Sequence, residues 1–557
     1  MRCGPRPGSK PRFNTVQHGL PAEALAKAGS TRFRTPKGVN ILKKTFIATA
    51  VLLAAVVVFL LVTLPARPLE IPLDTVDQDL LRRTLRGAYH VHTTRSDGAG
   101  DRNAVAGAAA RAGLQFVIFT EHGDGTRPPA PPAYVDGVLC LDGVEISTNG
   151  GHYVAIDLPA APYPLAGEAA AVVEDVARFG GFGFAAHPDH PRPHLAWSDW
   201  AAPVDGLEWV NLDSAWRDER IAALARIPFD YLLRPSGAIA SILDRPVPTL
   251  DRWNELERTR PVVGMAAVDA HGSGRRDGEG RAAKLGLGPG YEESFRTISN
   301  RVLLERPPGG DAASDARLLL DAIRAGRVYS VVDAIAGNAV LRIRPGDDAF
   351  DLASPLPSGA RPELIRAGDR SRLEIGFDGA PGTPPVPWVV SNWSGQRPIA
   401  PVPALPQPLI AQPFRRSSPW RVEKDPASSG QVSVAEEAAT LHYVLAEGRT
   451  SQYVAAAADL APSLPYSTLV FDARAARPMR VSVQLRFPDG ERWVKSVYLD
   501  ARDREVAIRV GEMAAAGSSR PMPNVTTAES VLLVVDLVNS RPGESGSFTV
   551  MNLRRVR

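Results

Sequence analysis

Between residues 87 and 271, short apolar runs alternate with helical stretches, and this alternation most constrains the fold. GAYHVH (87–92), LQFVIFT (114–120), VLCLDGVEIS (138–147), HYVAIDL (152–158), FGFAAH (182–187), LEWVNLD (207–213) and PVVGMAAVDAH (261–271) have the length and character of strands. DRNAVAGAAARAG (101–113) and EAAAVVEDVARFG (168–180) read as helices, as does much of 214–259. The pattern predicts an α/β domain, a mostly parallel sheet with helices outside it, and its seven strands suit a barrel. A helix and strand in ARLLLDAIRAGRVYSVV (316–332) are expected to close it.

Chemistry-bearing residues fall where these runs end. His90 and His92 close the first, with Ser96-Asp97-Gly98 in the following turn. The second ends in Glu121-His122, the third carries Glu145, and His152 follows Gly150-Gly151. The remaining ends supply His187 and Asp269-Ala270-His271. Strand ends are the catalytic face of α/β barrels. Imidazole and carboxylate without sulfur suit Zn, Mn or Fe, so these residues predict a multi-metal hydrolytic site. His190 and His194 lie in the adjoining HPDHPRPH loop and are expected at the site's margin, His190 closer. Arg275 and Arg276, after HGSG, are candidate anion clamps. Cys140 sits inside an apolar run and reads as a small buried hydrophobe.

The rest of the chain divides by composition. Residues 1–44 hold ten bases and one acid, against 54 bases and 60 acids afterwards, so a +9 head precedes a −6 body. The body lacks the basic surface that binds nucleic acid, which is not expected as a primary partner. The uncharged run Thr45 to Leu64 is long enough to span a bilayer, and Lys43-Lys44 precede it. It is expected to be an uncleaved signal anchor (45–64), following a basic cytoplasmic leader (1–44) and followed by a linker (65–85). The catalytic body would then be periplasmic on a single-pass cytoplasmic-membrane protein, a cleaved secretory signal being the alternative. Residues 336–429 are a Pro- and Gly-rich β region, and 430–557 alternate like a jelly-roll β-sandwich. Trp420, Trp493 and Tyr498 there could contact an envelope glycan or pack the core.

The ordered set HVHTTRSDG (90–98), TEH (120–122), GVEIST with GH (143–152), AAHPDH (185–190) and VDAH (268–271) resembles the PHP (polymerase and histidinol phosphatase) family. The resemblance covers about residues 86–335. It implies a distorted (β/α)7 barrel holding two or three divalent ions, Zn, Mn or Fe. On it, His90, His92 and Asp269 would hold one metal. Glu145 would bridge to a second, held by His152 and His187. Asp97, His122 and His271 would hold a third. Glu121 stands where the family usually has Asp.

The implied activity is hydrolysis by a metal-bridging hydroxide, most simply of a small-molecule phosphoester. Asp269 or His271 would serve in proton transfer and Arg275 in anion binding. The EIST…GHYVAI segment is similar to a branch with carbamate or ester hydrolases, so a carbamate, ester or amide substrate is the alternative. A non-catalytic envelope- or glycan-binding protein is the reading from a different class.

Overall fold

The computed structural model describes residues 37–73, 76–218, 227–272, 289–342, 355–377, 386–395, 411–413, 416–448, 450–461, 465–517 and 520–557. The chain divides into two units, Met1–Thr63 and Leu64–Arg557. In the first, helix α1 (Lys37–Val62) contains a 20-residue stretch, Lys43–Val62, with mean hydropathy 2.9. That length and composition suffice to cross a membrane, a test that signal sequences also pass.

The second unit opens with helix α2 (Gln78–Arg83), capped by Asp77, and runs directly into β1 (Thr84–Val91). Helix α3 (Arg102–Arg111), capped by Asp101, leads to β2 (Phe116–His122). The short β3 (Ala133–Val135) pairs with β4 (Val138–Thr148), which turns into β5 (Gly151–Ile156). Helix α4 (Ala169–Arg178), β6 (Phe182–Ala185), β7 (Gly206–Asn211) and β8 (Val263–Ala267) follow.

The sheet is mixed, where the sequence predicts it mostly parallel. β1–β2, β2–β4, β6–β7 and β7–β8 are parallel, but β4–β5 and β5–β6 are antiparallel. The cause is local. Thr148 pairs with Gly151 across Asn149-Gly150, a two-residue turn that can join only antiparallel strands. Gly151 has φ +106°, and a Cβ there would lie 2.3 Å from the Ala196 carbonyl oxygen, so only glycine fits.

The seven strands close into a ring, but not through residues 316–332. The segment beyond β8 returns to β1. Val268 N donates to Tyr89 O (3.0 Å), His92 N to Ala270 O (3.0 Å) and Ala270 N to His90 O (3.3 Å). β9 (Ser299–Leu303) and β10 (Val328–Val331) instead pair antiparallel to each other, and β9 pairs with the start of β1. Side chains from β9 and from residue 392, further along the chain, meet β8. The Asn300 amide bonds both N and O of Ala266, and the Asn392 amide both N and O of Gly264. Two buried asparagines thus occupy the hydrogen-bonding positions of a neighbouring strand.

The Pro- and Gly-rich region contributes to both halves of the unit. β11 (Ala360–Ala367), β12 (Arg370–Phe377), β13 (Val389–Ser391) and β14 (Ser394–Gly395) extend the large sheet through the β10–β13 pairing. β15 (Ala411–Pro413) and β16 (Arg421–Lys424) belong to the two C-terminal sheets.

Those sheets are antiparallel. One orders β17 (Ser429–Ala435), β18 (Ala438–Val444), β26 (Ser545–Val556), β20 (Thr468–Ala475) and β23 (Arg504–Arg509), with β15 on β26. The other orders β16, β19 (Tyr453–Asp459), β25 (Ser530–Asp536), β21 (Met479–Arg486), β22 (Arg492–Leu499) and β24 (Ala514–Ala516). Leu441, Phe471 and Phe548 from the first share one core with Val454, Val483 and Leu533 from the second. Trp493 is buried in that core and Trp420 packs against it. Tyr498 instead meets Phe179 just past α4, under the Arg178 guanidinium at 4.0 Å.

The sandwich is joined to the strand ring by ion pairs. Arg480 on β21 is buried, and its Nε and Nη2 donate to the two carboxylate oxygens of Asp175 on α4 (2.6 and 2.7 Å). Lys495 pairs with Glu168 at the start of α4.

Candidate metal centre

The expected ligands converge. At the end of β1 the register shifts between Tyr89 and Val91, and His90 has φ +65°. The bulge, rather than simple two-residue alternation, brings the His90 and His92 rings within 5.1 Å. His187 (φ +31°) and Asp269 (φ +47°) also adopt left-handed backbone, which costs about 1–3 kcal/mol per residue and clusters at functional sites.

Glu145, on β4 and fully buried, is the hub. Its Oε2 lies 3.2 Å from His90 Nε2, His92 Nε2 and His122 Nδ1. Its Oε1 lies 2.5 Å from His152 Nδ1 and 2.8 Å from His187 Nε2. Asp269 Oδ1 is 3.4 Å from His90 Nε2 and 3.3 Å from His92 Nε2. Asp97 Oδ2 is 3.5 Å from His122 Nε2 and 3.3 Å from His271 Nε2. Four groups of ligand atoms are each compact enough to surround one ion. They are His92, Asp97, His122, His271; His90, His92, Glu145; His90, His187, Asp269; and His122, Glu145, His152.

The donor set fits metal ions. Two ligand atoms bound at 2.0–2.2 Å to one tetrahedral ion lie about 3.3–3.6 Å apart, close to most of these spacings. His90 Nε2, His92 Nε2 and His271 Nε2 are buried with no hydrogen-bond partner. Each faces the carboxylate oxygens of the cluster, where an ion would displace its proton. His271 Nδ1 lies 2.9 Å from the Asp269 carbonyl oxygen, which can only accept, so the proton sits on Nδ1. His90 Nδ1 lies 2.5 Å from Glu208 Oε1, which assigns its proton the same way.

Charge is tightly coupled here. Burial opposes ionisation of Glu145, but His90 and His122 hold its carboxyl well below the usual range. Burial likewise opposes ionisation of Asp269, and His90 and His92 overcome it. For His92, burial disfavours the charged ring, yet the adjacent Asp269 and Glu145 carboxylates raise it to about 9.

Several supporting groups escaped the sequence reading. Glu208, on β7, also accepts from His187 N (2.7 Å) and Asn211 Nδ2 (2.9 Å). Asn211 donates a second bond to Asp269 Oδ2 (3.2 Å). The only signal for Glu208 is an acid inside the apolar run LEWVNLD. Glu121 touches no ligand atom of the cluster. It ties down the turn bearing Asp97, accepting from Thr93 Oγ1 (2.6 Å) and Ser96 Oγ (2.5 Å).

A cleft of about 140 Å³ opens over the cluster, lined by His190, Arg192, Asp213 and Arg217. Burial and the nearby His187 lower His190 to about 4, so its ring is neutral. Its Nδ1 accepts from Arg192 N (3.0 Å), which leaves the proton on Nε2. Arg275 and Arg276 lie outside the described residues. His194 is exposed on its loop. Cys140 is buried in β4, and burial raises its thiol to about 11.

Fold and site together define a mixed α/β chain whose buried imidazole and carboxylate clusters can hold metal ions. No family model and no curated protein matches the chain. Among solved structures, a two-domain protein from Bacteroides vulgatus containing a predicted PHP-like metal-dependent phosphoesterase is similar over 60% of this chain and 92% of its own. The two are 14% identical, with a TM-score of 0.28. The family 11 carbohydrate-binding module of a cellulosomal cellulase from Clostridium thermocellum is similar over 27% of this chain and 96% of its own. That pair is 13% identical, with a TM-score of 0.22.

Proposed function

We propose that the chain is a metal-dependent hydrolase of the PHP type acting on phosphoesters, its seven-strand ring being the family's distorted (β/α)7 barrel. The observation that carries this is the convergence of five imidazoles on the two oxygens of buried Glu145. Divalent ions bound there would supply an activated water and neutralise charge on the reacting group. His90, His92 and Asp269 would hold one ion, His152 and His187 a second bridged by Glu145, and Asp97, His122 and His271 a third. Glu208 fixes the tautomer of His90 and the backbone of His187. Asp269, kept ionised, would accept a proton. His190 offers its Nε2–H to an anionic oxygen.

Arg192 and Arg217 line the cleft, Arg217 paired with Asp213, and the two guanidinium groups favour an anionic phosphoester over a neutral carbamate, ester or amide. In this proposal α1 is a signal anchor, with the leader cytoplasmic and the hydrolase body (86–335) and sandwich (430–557) periplasmic. The test uses the purified full chain in detergent, loaded with Zn or Mn, against phosphomonoesters, phosphodiesters and carbamates. Phosphoester hydrolysis is expected, falling by about 100-fold or more in Glu145→Gln. Undiminished hydrolysis in that variant would overturn the role of Glu145.

A further inference from the structure

A second and larger pocket, of about 630 Å³, adjoins the cluster on the side of His122. It shares His122 with the site, Glu121 lines it beside that ring, and Val144, Leu158 and Leu165 give it an apolar lining. Pro128 and Pro129 line it too, beside exposed Arg127. Three acids line it, and all are engaged, Glu121 by Thr93 and Ser96. Asp142 accepts from Arg95 (2.8 Å) and from Ala130 N (2.9 Å). Asp124 Oδ1 accepts from N and Oγ1 of Thr126.

The walls of this pocket are held from the sandwich. Ala161 N donates to Gly125 O and Leu165 N to Asp124 O (both 2.8 Å), joining the 124–126 and 161–165 loops. The turn between β25 and β26 then grips both loops. Arg541 Nη2 donates to Thr126 Oγ1 (2.6 Å), and Asn539 Nδ2 donates to Pro164 O (2.9 Å) and Ala166 O (3.3 Å). The Arg480–Asp175 and Lys495–Glu168 pairs fix the sandwich against the same side of the strand ring.

We infer that this pocket is a leaving-group subsite whose wall loops are braced by the sandwich, taking a flat apolar group that carries a negative charge. The inference rests on the hydrolase reading above. A phosphoryl group at the cluster would direct its esterified substituent past His122 into this space. The volume is within the range of pockets for whole organic ligands and exceeds what a phosphate fills. The apolar lining favours a ring, and the Arg127 guanidinium favours a carboxylate or second phosphate on it. Arg541 and Asn539 act here as positioning residues.

The test is calorimetric binding of methylphosphonate, benzylphosphonate and 4-carboxybenzylphosphonate to the Zn-loaded full chain. The carboxybenzyl compound should bind about tenfold or more tightly than methylphosphonate. Leu165→Trp should collapse that ratio towards one. Arg127→Glu, at an exposed position, should abolish the advantage of carboxybenzyl over benzyl. Arg541→Ala should lower the aryl-to-methyl ratio without loss of bound zinc, with recovery in Arg541→Lys. If methylphosphonate binds and the aryl compounds bind no tighter, the subsite is wrong and the hydrolase reading stands. If the ratio survives both Leu165→Trp and Arg127→Glu, the ring sits elsewhere and the inference is overturned. If none of the phosphonates binds, the phosphoesterase reading fails and takes this inference with it.

Discussion

Glu208 Oε1 sits 2.5 Å from His90 Nδ1, and both side chains are fully buried. The other oxygen of the same carboxylate takes the His187 amide. One acid on β7 therefore orients two candidate ligands on different strands. Such supporting carboxylates typically contribute 10–100-fold to metal affinity. Glu208→Ala is expected to weaken metal binding by about that factor, read by competition with a chelator. Unchanged affinity would show that the His90 orientation is held by other contacts.

The raised His92 makes the metal-free chain sensitive to alkali. Its folded value of about 9 exceeds the ordinary 6.5. Proton binding therefore stabilises the metal-free fold fully below about pH 6.5, and that contribution is lost as pH rises through 9. Metal competes with the same proton. Thermal scans should show the metal-free chain losing stability from pH 6.5 to 9, while the stabilisation by added zinc grows across that window. Titration calorimetry at pH 7 in buffers of different ionisation enthalpy should register proton release on zinc binding.

Arg480 and Asp175 form a buried pair between sandwich and strand ring, and Tyr163 Oη donates to the same carboxylate (2.7 Å). Removing one partner leaves a buried charge, which costs about 3–5 kcal/mol. Arg480→Met should lower the chemical-denaturation midpoint accordingly. Adding Asp175→Asn, which removes the stranded charge and leaves Tyr163 an acceptor, should recover part of the loss. A midpoint unmoved by Arg480→Met would mean the pair does not hold the interface.

Gly98 ends the turn that carries Asp97, and a Cβ there would lie 2.5 Å from the His92 carbonyl oxygen. Backbone must shift to admit it. Gly98→Ala is expected to weaken the ion held by Asp97, His122 and His271 more than those around Glu145. Metal analysis after graded chelation reads this as loss of the most weakly held equivalent, about one per chain. Equal loss from all sites would contradict the separate role of that turn.

The candidate site was legible because chemistry left a visible mark: histidines and acids stand where apolar runs stop. His90, His92, Glu145 and Asp269 meet as the residue types implied. The route by which they meet was hidden, since a bulge at His90 and left-handed backbone at Asp269 leave no trace in apolar periodicity. Glu208 was missed because one acid within an apolar strand looks like any paired core carboxylate. The roles of Asn300 and Asn392 were equally opaque, because an amide that replaces a strand neighbour resembles ordinary loop chemistry until the partner strand is in place. The turn between β4 and β5 leaves its mark in the sequence as Asn149-Gly150-Gly151, but its consequence for sheet direction follows only from the pairing it makes.

The central claim is that the side chains around Glu145 are a metal centre. Elemental analysis of the purified full chain, after reconstitution and removal of loose ions, tests it most directly. The account predicts two or three equivalents of Zn, Mn or Fe per chain, with loss of metal in Glu145→Ala. Fewer than one equivalent, or metal content unchanged by that substitution, would contradict it.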